Sequence, residues 1–244
     1  MNIISSFVIT TLAGLSTLIG YFAIYIKGDT NKIISLFLSM ASGVMVVVSF
    51  IDLIPSSLKY LNNYFILFRL ILVFLFIIIG FIISNNISHL SDKYSKNNLT
   101  KLGILSLISI VFHNVFEGII TFMSCQVNLE LGLSMALAIS LHNIPEGISI
   151  AIPLYYANES RKKILLTVII ASLSELLGAL LTYYFLLPFI NNFILGIMLA
   201  LTAGIMLSIG LLNLLNEAYQ YDKKISVIGF IIGGVIMIIS GKFM

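Results

Sequence analysis

Residues 131–156 read LGLSMALAISLHNIPEGISIAIPLYY, and this stretch decides the fold class. It is long enough to cross a bilayer as a helix, because a transmembrane helix needs about 20 mostly apolar residues. His142 and Glu146 lie in the middle of this apolar run. Placing a charged side chain there costs about 2.5–3.5 kcal/mol on insertion scales, so such residues usually have a function. The stretch therefore predicts a membrane helix that carries part of a functional site.

The rest of the chain has the same apolar character. Of its 244 residues, 59% are hydrophobic and only 9% are charged, whereas a soluble domain has about 25% charged residues. We therefore expect an all-α membrane protein with a single transmembrane domain over residues 1–244, embedded in a lipid bilayer and without a nucleic-acid partner. The apolar runs predict eight transmembrane helices, at about 3–26, 33–58, 65–84, 102–125, 131–156, 164–189, 193–216 and 225–243.

The basic residues lie mainly on one side of the predicted membrane. The segments that follow odd-numbered helices hold ten Lys and Arg residues, and the other side holds three, namely Lys59, Arg69 and Lys242. Because basic residues accumulate on the cytoplasmic side, this difference predicts that both termini face outside. The polar segment at about 85–101, which contains His89, is then a flexible cytoplasmic loop. A central helix pair flanked by two related triplets would give a 3+2+3 plan.

Two copies of one motif lie in the fourth and fifth predicted helices. Residues 113–118 read HNVFEG and residues 142–147 read HNIPEG, so both follow the pattern His-Asn-x-x-Glu-Gly. At 100° per residue, the His and the Glu lie on one helix face with the Asn beside them. Imidazole nitrogens and carboxylate and amide oxygens suit divalent first-row metals. Two facing helices would therefore form a site for one or two ions from His113, Asn114, Glu117, His142, Asn143 and Glu146.

Polar side chains in neighbouring helices extend this predicted site. Glu175, in the sixth helix, is either a further metal ligand or a protonated packing residue. Asp52, toward the outer end of the second helix, is a candidate entrance acid that attracts cations. Met45, two turns earlier on the same face, is either a packing residue or a thioether that faces the ion path. Asn213 and Glu217, near the inner end of the seventh helix, are candidates for an exit.

The doubled motif and Glu175 resemble the signature of the ZIP (Zrt/Irt-like) family of divalent metal transporters. The similarity is greatest to the bacterial branch that resembles zinc uptake permeases, and it covers nearly the whole chain. Two departures stand out: Phe116 occupies a position where many relatives have proline, and the segment at 85–101 has one histidine instead of a cluster.

This resemblance implies a fold and a mechanism. It implies eight helices with both termini outside and an elevator-type carrier, in which a four-helix unit slides against a static scaffold, often in a homodimer. It implies an additional ligand at Met45 and a polar position further out at Asp52. It also implies that a two-metal centre is formed by His113, Asn114, Glu117, His142, Asn143, Glu146 and Glu175.

The function expected from these features is transport of divalent metal cations by a multi-pass protein of the cell inner (plasma) membrane. Zn²⁺, or Fe²⁺, Mn²⁺, Co²⁺ or Cd²⁺, is expected as the transported substrate and not as a cofactor, with uptake into the cytoplasm. A proton-coupled metal exporter and an intramembrane metalloenzyme are the alternatives. A metalloprotease would carry His-Glu-x-x-His on one helix, and here the order is His-Asn-x-x-Glu. We therefore expect a transporter and no enzyme activity.

Overall fold

The structure, a computed structural model, describes residues 3–91, 98–186 and 191–240, and the regular structure of these residues is entirely helical. Eight helices are long and apolar enough to cross a membrane, which confirms the predicted fold class. The predicted ends of the sixth and eighth helices, 187–189 and 241–243, lie outside the described residues. The helices are α1 (Ile3–Tyr25), α2 (Thr30–Tyr60), α3 (Ile66–Ser91), α4 (Asn98–Val127), α5 (Leu129–Tyr156), α6 (Arg161–Phe185), α7 (Asn192–Tyr221) and α8 (Lys223–Ser240).

The connection between α3 and α4 is shorter than the sequence predicts. The polar composition of residues 85–101 predicts a loop, but α3 continues to Ser91 and α4 already begins at Asn98. His89 therefore lies in the helical part of the chain, and residues 92–97 are outside the described residues. The difference has a physical reason. Adding a residue to an existing helix costs far less than nucleating one, so long apolar helices extend into polar sequence beyond the membrane.

The eight helices pack as two groups of four. One group, called the motif bundle here, consists of α1, α4, α5 and α6, and it contains both copies of the His-Asn-x-x-Glu-Gly motif. The other group, called the flanking bundle, consists of α2, α3, α7 and α8, in which α2 packs against α7 and α8, and α3 packs against α7. The main contact between the bundles is made by α2 against α5.

Glycines allow the helices of the motif bundle to approach each other closely. A Cβ atom at Gly118 of α4 would overlap the carbonyl oxygen of Glu175 in α6, and one at Gly147 of α5 would overlap the carbonyl oxygen of Thr17 in α1. Small residues at such crossings let helix backbones approach in membranes. The glycine that ends each motif copy therefore allows a neighbouring helix to pack directly against the motif.

Serine hydroxyls connect α2 to α7 in the flanking bundle. Ser42 Oγ donates to the carbonyl oxygen of Gly210 at 2.8 Å, and Ser57 Oγ donates to that of Gly196 at 2.6 Å. Near Gly210 the helix widens into a π-helical segment, Ile209–Leu215. Such widened turns leave carbonyls without their usual partner in the helix, and here Ser42 supplies one.

Candidate metal centre

The short connection between α4 and α5 brings the two motif copies to the same depth. Asn128 is the only residue between these helices, and its side chain accepts a hydrogen bond from the Glu130 backbone N–H at 3.0 Å. His113 lies 15 positions before Asn128 and His142 lies 14 positions after it. At 1.5 Å per residue, both are about 20 Å from the connection. Antiparallel packing therefore sets the imidazoles opposite each other, with their ring centres 6.0 Å apart.

The His and Glu side chains of both copies converge on one point. Glu117 Oε1 lies 2.9 Å from His113 Nε2 and 2.7 Å from His142 Nε2. Glu146 Oε1 lies 3.2 Å from His113 Nε2. One ligand atom from each of His113, His142 and Glu146 can be chosen so that all three lie within 4.8 Å of one another. The four side chains are at most 5% exposed, so this cluster is inside the protein.

The two motif asparagines direct their amide groups toward neighbouring helices. Asn114 Nδ2 donates to the carbonyl oxygen of Ala171 in α6 at 3.1 Å. Asn143 Nδ2 donates to the carbonyl oxygen of Ala13 in α1 at 3.0 Å and to Glu175 Oε1 at 2.5 Å. Because the N–H groups are held in this way, the Oδ1 atoms are the ones left to bind a cation. Glu175 therefore joins the cluster through Asn143.

Several ligand atoms of this cluster have no hydrogen-bond partner among the described residues. They are both ring nitrogens of His113, Nδ1 of His142, Oδ1 of both asparagines, Oε2 of Glu117 and Glu175, and both carboxylate oxygens of Glu146. The short approach of Glu146 to His113 thus lacks the alignment of a hydrogen bond. A buried polar group without a partner costs about 1–3 kcal/mol, and more if it is charged. Such a cost is removed when the same atoms bind a metal ion.

The charges of the cluster favour a cation. Glu117, Glu146 and Glu175 are acidic, and no described Lys or Arg forms an ion pair with any of them. The partners that the structure does give them are the imidazoles of His113 and His142 and an amide. Nitrogen and oxygen atoms in this combination are typical ligands of zinc and neighbouring divalent metals.

Comparison with known proteins gives the family. Residues 89–241 match the family described as ZIP zinc transporter. The zinc transporter ZupT of Chlorobium luteolum is 37% identical, over 98% of this chain and 97% of its own length. The chain belongs to the ZIP family. ZupT proteins of Streptococcus mutans and Oceanobacillus iheyensis, each 34% identical over 98% of this chain and 97% of their own length, agree with that assignment.

The family assignment confirms the resemblance noted in the sequence. Because the ZIP family consists of transporters, the chain is a multi-pass transporter and not an enzyme. Its seven predicted ligands all lie in α4, α5 and α6 of the motif bundle.

Asp52 of this ZIP protein faces a cavity beside the cluster. It lines a cavity of about 430 Å³ that reaches inward to Glu117. Lys59, Asn62 and Asn192, at the ends of α2 and α7 and in the connection after α2, also line the cavity. Ser56 Oγ donates to Asp52 Oδ1 at 3.1 Å, so the carboxylate is held in position and remains partly accessible. The structure thus brings Asp52 and Glu117 to one cavity, although they are in different bundles.

Met45 does not line this cavity. Its side chain is 1% exposed and belongs to the apolar core, and its Cβ faces Gly210 of α7. In this arrangement the ZIP protein uses Met45 for packing, which is one of the two interpretations that the sequence allows.

A second cavity of about 360 Å³ lies at the opposite end of α4 and α7, and Lys101, Asn213 and Glu217 contribute to its wall. The orientation predicted from the basic residues puts the Asp52 cavity on the outer side, so the two are called the outer cavity and the inner cavity here. Among the described residues, none lines both. Of these two cavities, the one beside Asp52 has a residue of the cluster, Glu117, in its wall, and the one beside Glu217 has none.

Sequence reasoning missed some residues of the site. The carbonyls of Ala13 and Ala171, which hold the two motif asparagines, give no signal in sequence because every residue has such a group. Ser124, which lines the outer cavity, lies seven positions after Glu117 and thus on the same helix face. The helical spacing could have identified Ser124 but not the two alanines.

Proposed function

We propose that this protein carries divalent metal cations through the membrane, with Zn²⁺ as the principal substrate and Fe²⁺, Mn²⁺, Co²⁺ and Cd²⁺ as further candidates. The observation that carries the proposal is the convergence of two imidazoles and two glutamates, from two copies of one motif, at one buried point. The zinc transporter names of the relatives support Zn²⁺. The proposed ligands are His113, Asn114, Glu117, His142, Asn143, Glu146 and Glu175.

The proposed centre holds two ions. The imidazoles, with Glu117 and Glu146, would bind the first ion. The free oxygens of Glu117, Glu146 and Glu175, with the two asparagine Oδ1 atoms, would bind the second. Glu117 and Glu146 would then bridge the pair, as carboxylates do in two-metal sites, where the ions are about 3.5–4 Å apart. Three carboxylates offset most of the positive charge of two divalent ions.

The proposed direction is uptake into the cytoplasm. An ion enters the outer cavity past Asp52 and reaches Glu117, where protein ligands replace its water molecules. A displacement of the motif bundle against the flanking bundle then opens the centre toward the inner cavity beside Glu217. All proposed ligands belong to the motif bundle, so this displacement breaks no metal–ligand bond.

The proposal also includes the membrane, the orientation and the oligomeric state of the protein. Residues 1–244 act as a single transporter domain in the cell inner membrane, with both termini outside. The homodimer that the family resemblance implies is part of this proposal. The excess of basic residues at one end of the helices supports the orientation.

Uptake of radioactive Zn²⁺ into proteoliposomes tests the proposal. Glu146→Gln keeps the size of the side chain and removes its charge, and we expect uptake to fall by a factor of about 10–100, as the loss of a metal ligand predicts. Glu130→Gln, a change of an exposed acid at the start of the same helix, is the matched control and should leave uptake within about twofold of the unchanged protein.

Two outcomes would contradict the proposal. Equal uptake by the Glu146 variant and the control, at equal amounts of folded protein, would exclude the assigned centre. Absence of flux for every ion in a panel of Zn²⁺, Fe²⁺, Mn²⁺, Co²⁺ and Cd²⁺ would exclude metal transport itself.

A further inference from the structure

A basic and aromatic cavity lies at the end of the motif bundle opposite to the outer cavity. Its volume is about 270 Å³, and it is formed where α1 and α5 end and where α2 and α6 begin. The side chains that line it include Tyr25, Lys27, Tyr155, Tyr156 and Arg161. This end is the predicted cytoplasmic side, where the membrane surface carries negative lipids.

The two cations of this cavity have no acidic partner among the described residues. Neither Lys27 nor Arg161 forms an ion pair, whereas the nearby Lys163 is paired with Glu159 at 2.9 Å. Arg161 is one of only two arginines in the chain, and its guanidinium lies over the ring of Tyr25, 5.1 Å from the ring centre. This stacking orients the guanidinium and leaves its N–H groups available at the cavity.

The chemistry of these groups fits a phosphate. A guanidinium binds phosphate through two parallel hydrogen bonds, and a lysine ammonium adds a point charge. Tyrosine hydroxyls at the cavity can donate further hydrogen bonds to phosphate oxygens. Two cations that face one cavity also repel each other, and an anion between them removes that repulsion.

The surface beside the cavity indicates that the phosphate belongs to a lipid. Ile19 and Phe22 are exposed on α1, and their spacing of three residues places them on one side of the helix. Ile26, which is exposed directly after α1, lines the cavity. This apolar strip begins at the cavity and runs along α1 into the membrane-spanning region. A free phosphate would make no use of it, whereas an acyl chain would cover it.

We propose that the cavity between Lys27 and Arg161 binds the phosphate of an anionic phospholipid, with one acyl chain along the exposed face of α1. The site does not depend on the metal centre, because no residue is shared between them. It includes Gly28 of the connection between α1 and α2, which links the motif bundle to the flanking bundle. A bound lipid therefore contacts the chain at the junction of the two bundles.

Native mass spectrometry of the full chain in detergent, titrated with phosphatidylglycerol or phosphatidylcholine, tests this site. We expect the first phosphatidylglycerol to bind at least about fivefold more tightly than phosphatidylcholine, since each basic residue contributes about 1 kcal/mol to binding of an anionic lipid. Arg161→Gln and Lys27→Gln should each remove about fivefold of that affinity. Arg161→Lys, which keeps the charge but loses the planar fork, should show a smaller loss.

Lys162→Gln is the matched control, because Lys162 is exposed next to Arg161 but does not line the cavity. It should change the affinity by less than about twofold, as expected for a surface charge outside the site. Equal losses of affinity for phosphatidylglycerol in the Arg161, Lys27 and Lys162 variants would show that lipid binding depends on diffuse surface charge. This result would overturn the proposal. Equal binding of the two lipids would also overturn it. Displacement of phosphatidylglycerol by millimolar inorganic phosphate would show a phosphate site without lipid specificity and overturn the lipid assignment.

Discussion

The two bundles bury different kinds of polar side chain. In the part of the chain that the structure describes, every buried His, Asn and Glu lies in the motif bundle, whereas the flanking bundle buries only Ser and Thr among its polar residues. A hydroxyl costs less to bury than a charged group, and some of these hydroxyls donate to carbonyl oxygens, as those of Ser42 and Ser57 do. Those of Thr202, Ser208 and Ser226 have no partner among the described residues. The imidazoles and carboxylates of the motif bundle retain atoms without a partner.

This difference indicates that the two bundles have different roles in transport. In the proposed function the motif bundle provides all the metal ligands, so it binds the cation and moves as a unit. The flanking bundle contributes Asp52 to the cavity and contributes no ligand to the cluster. The comparison predicts that equivalent changes in the two bundles differ in their consequences.

The largest expected difference is between an acid of each bundle. Glu117→Gln should lower kcat/KM for Zn²⁺ uptake by about 100-fold or more, because Glu117 contacts both imidazoles and bridges the two ions in the proposed centre. Asp52→Asn should raise KM by about fivefold with kcat within about twofold, because an entrance acid concentrates the cation without being a ligand. Initial rates in proteoliposomes over a range of Zn²⁺ concentrations separate these effects.

Ionic strength provides the control for Asp52. The effect of Asp52→Asn on KM should shrink as salt rises, because salt screens charges over about 8–10 Å at 0.1–0.15 M and Asp52 is partly accessible. The effect of Glu117→Gln should persist. A loss of kcat in the Asp52 variant as large as that in the Glu117 variant would remove the proposed distinction between the bundles.

A smaller difference between the bundles is expected in the loss of stability when a glycine is replaced by alanine. Gly147→Ala would place a Cβ against the Thr17 carbonyl, so it should destabilise the protein by about 2–3 kcal/mol through overpacking. Gly210→Ala in the flanking bundle meets its nearest atom, Val46 Cγ2, at 3.2 Å and should cost less than about 1 kcal/mol. Thermal unfolding in detergent compares the two variants. If Gly147→Ala unfolds no earlier than Gly210→Ala, the close α1–α5 contact is not important for stability.

The smallest effect is expected for a serine between α2 and α7. Ser42→Ala removes the hydrogen bond to Gly210, and the loss should be about 0.6 kcal/mol, the average for such bonds between membrane helices. Zn²⁺ uptake should be unchanged, since no ligand is touched. Thermal unfolding and initial uptake rates, each compared with those of the unchanged protein, measure both quantities. A large loss of transport in Ser42→Ala would show that the flanking bundle takes part in binding.

Much of the arrangement of the candidate site could be predicted, because its geometry is local. The spacing of His and Glu within each motif sets them on one helix face, and Asn128 alone separates the two helices. The position of Asp52 relative to Glu117 could not be predicted, because it depends on how α2 packs against the motif bundle. The extension of α3 to Ser91 was missed because polar composition resembles that of a loop. The 3+2+3 plan, the location of the termini and the homodimer stay predictions.

The sequence by itself determined the number of helices and the doubled motif. Crossing the bilayer requires a run of apolar residues, and a run of that kind is visible without knowledge of any partner. Only the tertiary structure decided which helices belong together. Lipid chains are as apolar as the helix surfaces, so hydrophobicity does not select a neighbour, and close packing at small residues such as Gly118 and Gly147 does. That packing brings α1 and α6 to the motif, fixes the amides of Asn114 and Asn143, and places Glu175 beside the other ligands.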